Sequence, residues 1–166
     1  MDPNNRLNDR LRATRTAGHG ALLPYFTAGF PDPDTAAALI RRADHLGVAV
    51  VEIGFPYADS IADGPVIQAS FHHALTHGYR LRDAFALAET VRPSVACGLV
   101  AMVSFSIVHR VGVDAFMAQA ASAGFDGVIL PDLPIDEADA SATVAHRAGL
   151  CHIGLVAPTT PPERGV

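Results

Sequence analysis

Five short apolar, β-rich runs alternate with Ala-rich segments of helical spacing. That alternation predicts an α/β fold, a partial (β/α)8 TIM barrel of about five parallel strands with crossover helices. Two further observations favour the barrel over a doubly wound sheet. No G-x-G-x-x-G follows the first run, where a dinucleotide-binding sheet would cradle a pyrophosphate, and Gly18-His19-Gly20 precedes that run instead. Polar residues also fall at the ends of successive runs, in the order Thr27, Glu52, Ser104, Asp132 and Thr159, as the catalytic rim of a barrel requires.

The strands are expected at 21–27, 48–54, 96–103, 127–130 and 150–156, each reading as a buried run. The helices are expected at 34–46, 66–76, 81–91, 113–123 and 136–148. Asp32-Pro33-Asp34 opens one helix with capping chemistry, while Gly47, Gly78, Gly124 and Gly149 follow helical stretches as terminating glycines do. A closed barrel needs eight strands and roughly 200 residues or more. Residues 1–166 are therefore expected to form a single, incomplete barrel domain, with its C-terminal strands absent and open edges at the first and fifth strands.

Composition narrows the function classes. The formal charge is −5 and the basic residues are scattered rather than clustered, so neither nucleic acid nor an anionic membrane is an expected partner. No stretch is apolar for long enough to span a membrane, and the polar first twenty residues lack a signal-peptide core, which predicts a cytoplasmic protein. Cys97 and Cys151 sit inside apolar runs and read as reduced, buried thiols.

The most informative stretch runs from Val48 to Pro65. Alternation along a strand puts Val48, Val50, Glu52 and Gly54 on one face and Val51 and Ile53 on the other, so in a barrel Glu52 points inward near the mouth. An ionised carboxylate in so apolar a run is costly by several kcal/mol unless it has a partner, a raised pKa or a catalytic task. Asp63 lies eleven positions later in a loop restricted by Pro56, Gly64 and Pro65. Two carboxylates in such different surroundings suit general acid–base chemistry. The alternatives are a buried ion pair for Glu52 and helix capping for Asp63. His73 and His77 stand one helical turn apart beside His72, but no carboxylate completes a ligand set, so no metal site is expected.

The segment Val51-Glu-Ile-Gly-Phe-Pro-Tyr-Ala-Asp-Ser-Ile-Ala-Asp-Gly-Pro-Val-Ile-Gln68 resembles a signature of the tryptophan synthase alpha chain family, E-x-G-x-P-[FY]-S-D-P-x-A-D-G-P-x-I-Q. The stretches 24–31, 127–134 and 157–161 are similar to family segments in the same order. The resemblance implies retro-aldol cleavage of indole-3-glycerol phosphate to indole and glyceraldehyde 3-phosphate, without a cofactor. It places Glu52 on the acid–base glutamate that protonates indole C3. Asp63 falls on the aspartate that stabilises charge at the indole nitrogen.

By the same resemblance Tyr25, Thr27, Met102 and Ile129 line the indole pocket, although each also reads as ordinary core or rim packing. Pro56 and Asp59 lie in the loop that faces a tryptophan synthase beta subunit, and otherwise read as a plain surface turn. The chain departs from the family where S-D-P becomes Ala58-Asp59-Ser60, and where M-x-Y-x-N-P becomes Met102-Val-Ser104-Phe-Ser106-Ile107. The family's phosphate-binding loops belong to the absent C-terminal strands. Residues 1–166 alone are thus expected to be inactive, and the competing reading is a truncated, non-catalytic fragment or interaction module of the same family.

Overall fold

The computed structural model describes residues 5–61 and 63–161. Five parallel strands form one sheet in the order β1-β2-β3-β4-β5, with β1 Tyr25–Thr27, β2 Val50–Gly54, β3 Gly98–Met102, β4 Gly127–Ile129 and β5 Cys151–Ile153. Each strand pairs in parallel with the next in sequence, as consecutive crossovers around a barrel wall require. The helices are α1 Arg6–Thr16, α2 Pro33–His45, α3 Pro65–Thr76, α4 Leu81–Val91, α5 Phe105–Val111, α6 Val113–Ser122 and α7 Ala138–Arg147.

Local chemistry sets the helix ends where the sequence placed them. Asp32 caps α2 by accepting from the Thr35 backbone N–H at 2.8 Å. Gly47, Gly78, Gly124 and Gly149 follow α2, α3, α6 and α7 with φ between 81 and 93°, the left-handed conformation that closes a helix without a Cβ clash.

The strands are shorter than the apolar runs. Residues 21–23, expected in the first strand, are unpaired and exposed. Two helices were not expected. In α1 the N-cap is Asn5, whose side chain accepts from the Leu7 backbone and donates to the Asp126 and Gly149 carbonyls. This pins α1 across the N-terminal end of the sheet, where Leu7 packs into the space left by Gly98. In α5 the N-cap is Ser104.

Period-2 alternation divides the sheet between two apolar clusters. Val51, Ile53, Leu99, Ala101 and Val128 face the helices, joined by a cluster of rings in which Phe55 stands 5.3 Å from Phe85, 5.9 Å from Phe116 and 5.8 Å from Phe125. Such ring pairs add roughly 0.5–1.5 kcal/mol each beyond area burial. Val50, Val100, Ile129 and Cys151 form the opposite, inner cluster with Leu7.

An ion pair fastens the lower end. Arg92 meets Asp126 at 3.0 Å and donates to the Val95 and Cys97 carbonyls, while Asp126 also accepts from the Leu99 backbone N–H. Both cysteines are buried, and burial pushes the Cys97 thiol up to about 11. Among the described residues no helix is long and apolar enough to cross a membrane.

Candidate active site

Strand register brings the predicted residues to one face. Tyr25 of β1 pairs with Glu52 of β2, and Glu52 with Val100 of β3. One step further along, Thr27 pairs with Gly54, Gly54 with Met102, and Met102 with Ile129. The inner face near the C-terminal mouth therefore carries Tyr25, Thr27, Glu52, Met102 and Ile129 side by side.

Glu52 is half-buried, and burial raises its carboxyl pKa above the ordinary range. Among the described residues no Arg or His forms a salt bridge with it, so the ion-pair alternative has no partner here. Helix capping likewise fails for Asp63. Helix α3 starts at Pro65 with Gly64 as N-cap and no side-chain cap bond. What fixes the Asp63 loop is the Gln68 side-chain amide, which donates to the Ser60 carbonyl at 3.1 Å and to the Asp63 carbonyl at 2.8 Å.

A cavity of about 340 Å³ opens at this mouth, lined by Tyr25, Tyr57, Asp63, Phe71, Met102 and Ser104 among others. Its size and mixed walls suit a small aromatic ligand. Glu52, Thr27 and Ile129 do not line it, but adjoin it through their register partners Tyr25 and Met102. Ile129 is only 3% exposed and packs with the inner core, as the core alternative had it. Burial raises the Tyr25 phenol pKa, and the charges of Asp63 and Glu52 add to the effect, so this ring lies within electrostatic reach of both carboxylates.

Tyr57 was not singled out in the sequence, yet it lines the same cavity. Its phenol is pushed up by burial and by the neighbouring Asp63 and Asp132 carboxylates. The signal available in the sequence was its place at the [FY] position of the family signature, directly after Pro56.

Beside this cavity a wider groove of about 870 Å³ carries Pro56, Asp59, Arg80, Arg110, Ser104 and Asp132. Asp59 is exposed and Pro56 half-buried. Of the other rim residues, Ser104 and Asp132 are hydrogen-bonded to each other, while Thr159 is exposed. His73 bonds the Pro31 carbonyl at 2.9 Å and stacks on His77 with ring centroids 4.1 Å apart.

Five consecutive parallel strands joined by helices, with an inward carboxyl and a second carboxylate in the loop beyond it, define part of a TIM barrel. Comparison with known proteins makes the class specific. Residues 11–165 match the family model described as tryptophan synthase alpha chain. The alpha chain of Microcystis aeruginosa is 39% identical over 153 residues, covering 92% of this chain and 58% of that protein. The alpha chain of Synechocystis is 40% identical over 152 residues, again covering 92% and 58%.

Among solved structures, the Legionella pneumophila alpha subunit superposes with a TM-score of 0.92 at 35% identity, over 96% of this chain and 62% of that one. A tryptophan synthase complex from Pyrococcus furiosus gives 0.83 at 36% identity, over 87% and 59%. The chain belongs to the tryptophan synthase alpha chain family. It spans about three-fifths of the length of the relatives it matches.

Proposed function

We propose that this chain supplies the acid–base half of a site that cleaves indole-3-glycerol phosphate to indole and glyceraldehyde 3-phosphate. The observation that carries the reading is Glu52, a half-buried inner-face carboxyl with no counter-ion among the described residues, beside a cavity of aryl size that also receives Asp63. A raised pKa keeps a larger fraction of Glu52 protonated, as an acid must be before it acts.

In the proposed step Glu52 gives its proton to indole C3, and Asp63 stabilises the positive charge that develops at the ring nitrogen. The bond from C3 to the side chain then breaks, its electrons neutralising the ring. The side-chain hydroxyl loses its proton as the aldehyde carbonyl forms, and ionised Glu52 can take that proton back. Atoms and protons balance without water or a cofactor. Tyr25 and Met102 would pack against the indole, with Thr27 and Ile129 supporting them from the same sheet face.

The groove beside Pro56 and Asp59 is the proposed face for a beta subunit. Its support is the similarity to a Pyrococcus furiosus protein whose tryptophan synthase is an α2β2 complex. The test joins residues 1–166 to strands six to eight of the Legionella relative and measures indole release. Turnover that Glu52→Gln abolishes, with substrate affinity kept within a few-fold, supports the assignment. Near-normal turnover in that variant overturns it.

A further inference from the structure

We propose that Gly54 is a positioning residue that holds the Tyr25 side chain on the wall of the cavity by leaving the seat of that ring empty. The inference deepens the reading given above, because it assigns the shape of the aryl pocket to a residue outside the acid–base pair.

Gly54 shows the spatial requirement. A Cβ built on it would overlap the Tyr25 hydroxyl oxygen and ring carbon Cζ, and would come within 2.7 Å of Cε2. No positive φ is involved at Gly54, unlike Gly29 at 78°, so backbone freedom is not the reason for glycine here. The ring lies where a side chain on β2 would otherwise stand. Any larger residue must drive Tyr25 out of that seat, and the cavity it lines is the space open to it.

The chain contains three tyrosines and no tryptophan, so 19F NMR of 3-fluorotyrosine-labelled protein gives three signals, with Tyr25 assigned by Tyr25→Phe. Gly54→Ala should move the Tyr25 signal and leave that of Tyr79, on the helix side, in place. In the form that releases indole, Gly54→Ala should lower kcat/KM by roughly 10- to 10²-fold, the scale on which small misplacements act. Gly54→Ala/Tyr25→Ala should return to the value of Tyr25→Ala alone, because the clash is then gone.

A Tyr25 signal unmoved by Gly54→Ala, or additive losses in the double variant, overturns the proposal. Should Gly54→Ala fail to fold, a folded Gly54→Ala/Tyr25→Ala supports the seat and an unfolded one refutes it. Absence of indole release in the unsubstituted protein would count against the lyase reading, while the NMR result would still decide the role of Gly54.

Discussion

The Ser104 hydroxyl donates to Asp132 at 2.7 Å, and the same carboxylate accepts from the Phe105 backbone N–H at 2.7 Å, so the loops after β3 and β4 are joined by two charge-assisted hydrogen bonds. Ser104 is only 3% exposed and caps α5 through the Ser106 N–H. Here the chain departs from the family's M-x-Y-x-N-P, and its serines build a different but fully bonded support for the rim.

Ser104→Ala should therefore cost about 1 kcal/mol, the usual scale for a lost N-cap. Hydrogen exchange should show faster exchange across α5 than across α6. Unchanged protection in α5 would mean that Asp132 alone holds it.

At the opposite end, Asp126→Ala leaves the half-buried Arg92 without a counter-charge and the Leu99 N–H without an acceptor. Removing one partner of a buried pair costs roughly 3–5 kcal/mol. Burial raises the Asp126 carboxyl pKa despite the lowering effects of the Leu99 N–H and Arg92, which marks the pair as expensive to form and worse to break. Urea denaturation should show a lower midpoint, and a loss below about 1 kcal/mol would place the Arg92 network outside the stabilising core.

The parts of the fold legible in the sequence were those encoded by periodicity and local punctuation. Val50–Gly54 alternates so regularly that the inward direction of Glu52 could be read directly, and the four helix-closing glycines marked their boundaries. Helix α1 was missed because only Leu7 of its eleven residues is buried, and the contacts of Asn5 with Asp126 and Gly149 are remote in sequence. Helix α5 was missed because it has seven residues, and the acidic partner of its cap lies 28 positions away. The first strand was drawn too long because Leu22 and Leu23 are apolar, yet no neighbouring strand covers them. Gly54 was legible as an inward position, but only coordinates reveal the ring that occupies its empty side.

Glu52→Gln should raise stability near neutral pH. A carboxyl whose folded pKa is raised holds its proton more tightly in the folded state than in the unfolded one, so stability falls as pH rises through the window from the ordinary carboxylate pKa to the raised value. The glutamine variant escapes that loss. Its thermal midpoint should match the unsubstituted chain in acid and exceed it above the window, and a lower midpoint at neutral pH would reveal a favourable partner for the Glu52 charge.

Asp63→Asn tests the second carboxylate. The Gln68 bonds to the loop use the Ser60 and Asp63 backbone carbonyls and survive the change, so the loop should keep its place while the charge is lost. In the barrel-completed chimera, turnover should fall by roughly 10²-fold or more if the site excludes water. An unchanged rate would leave Asp63 as a loop residue of no catalytic consequence.

The last prediction concerns a polypeptide confined to residues 1–166. Barrels of this kind hold a phosphate dianion with backbone N–H groups from the loops after strands seven and eight. The described residues contain strands one to five of the wall. Without that distal grip, the binding energy that would orient an indole-glycerol against Glu52 is missing, and positioning of this type supplies several kcal/mol of barrier lowering. Among the described residues the sheet also ends in unpaired parallel edges at β1 and β5, flanked by Leu22, Leu155 and Val156 at 69, 59 and 70% exposure. Unpaired edges beside exposed apolar side chains favour pairing with another chain. Expressed by itself, this polypeptide should release no measurable indole and should sediment as a self-associated species. A monodisperse monomer that releases indole at the rate of the barrel-completed chimera would show that the carboxylate pair and its aryl pocket suffice without the distal phosphate grip.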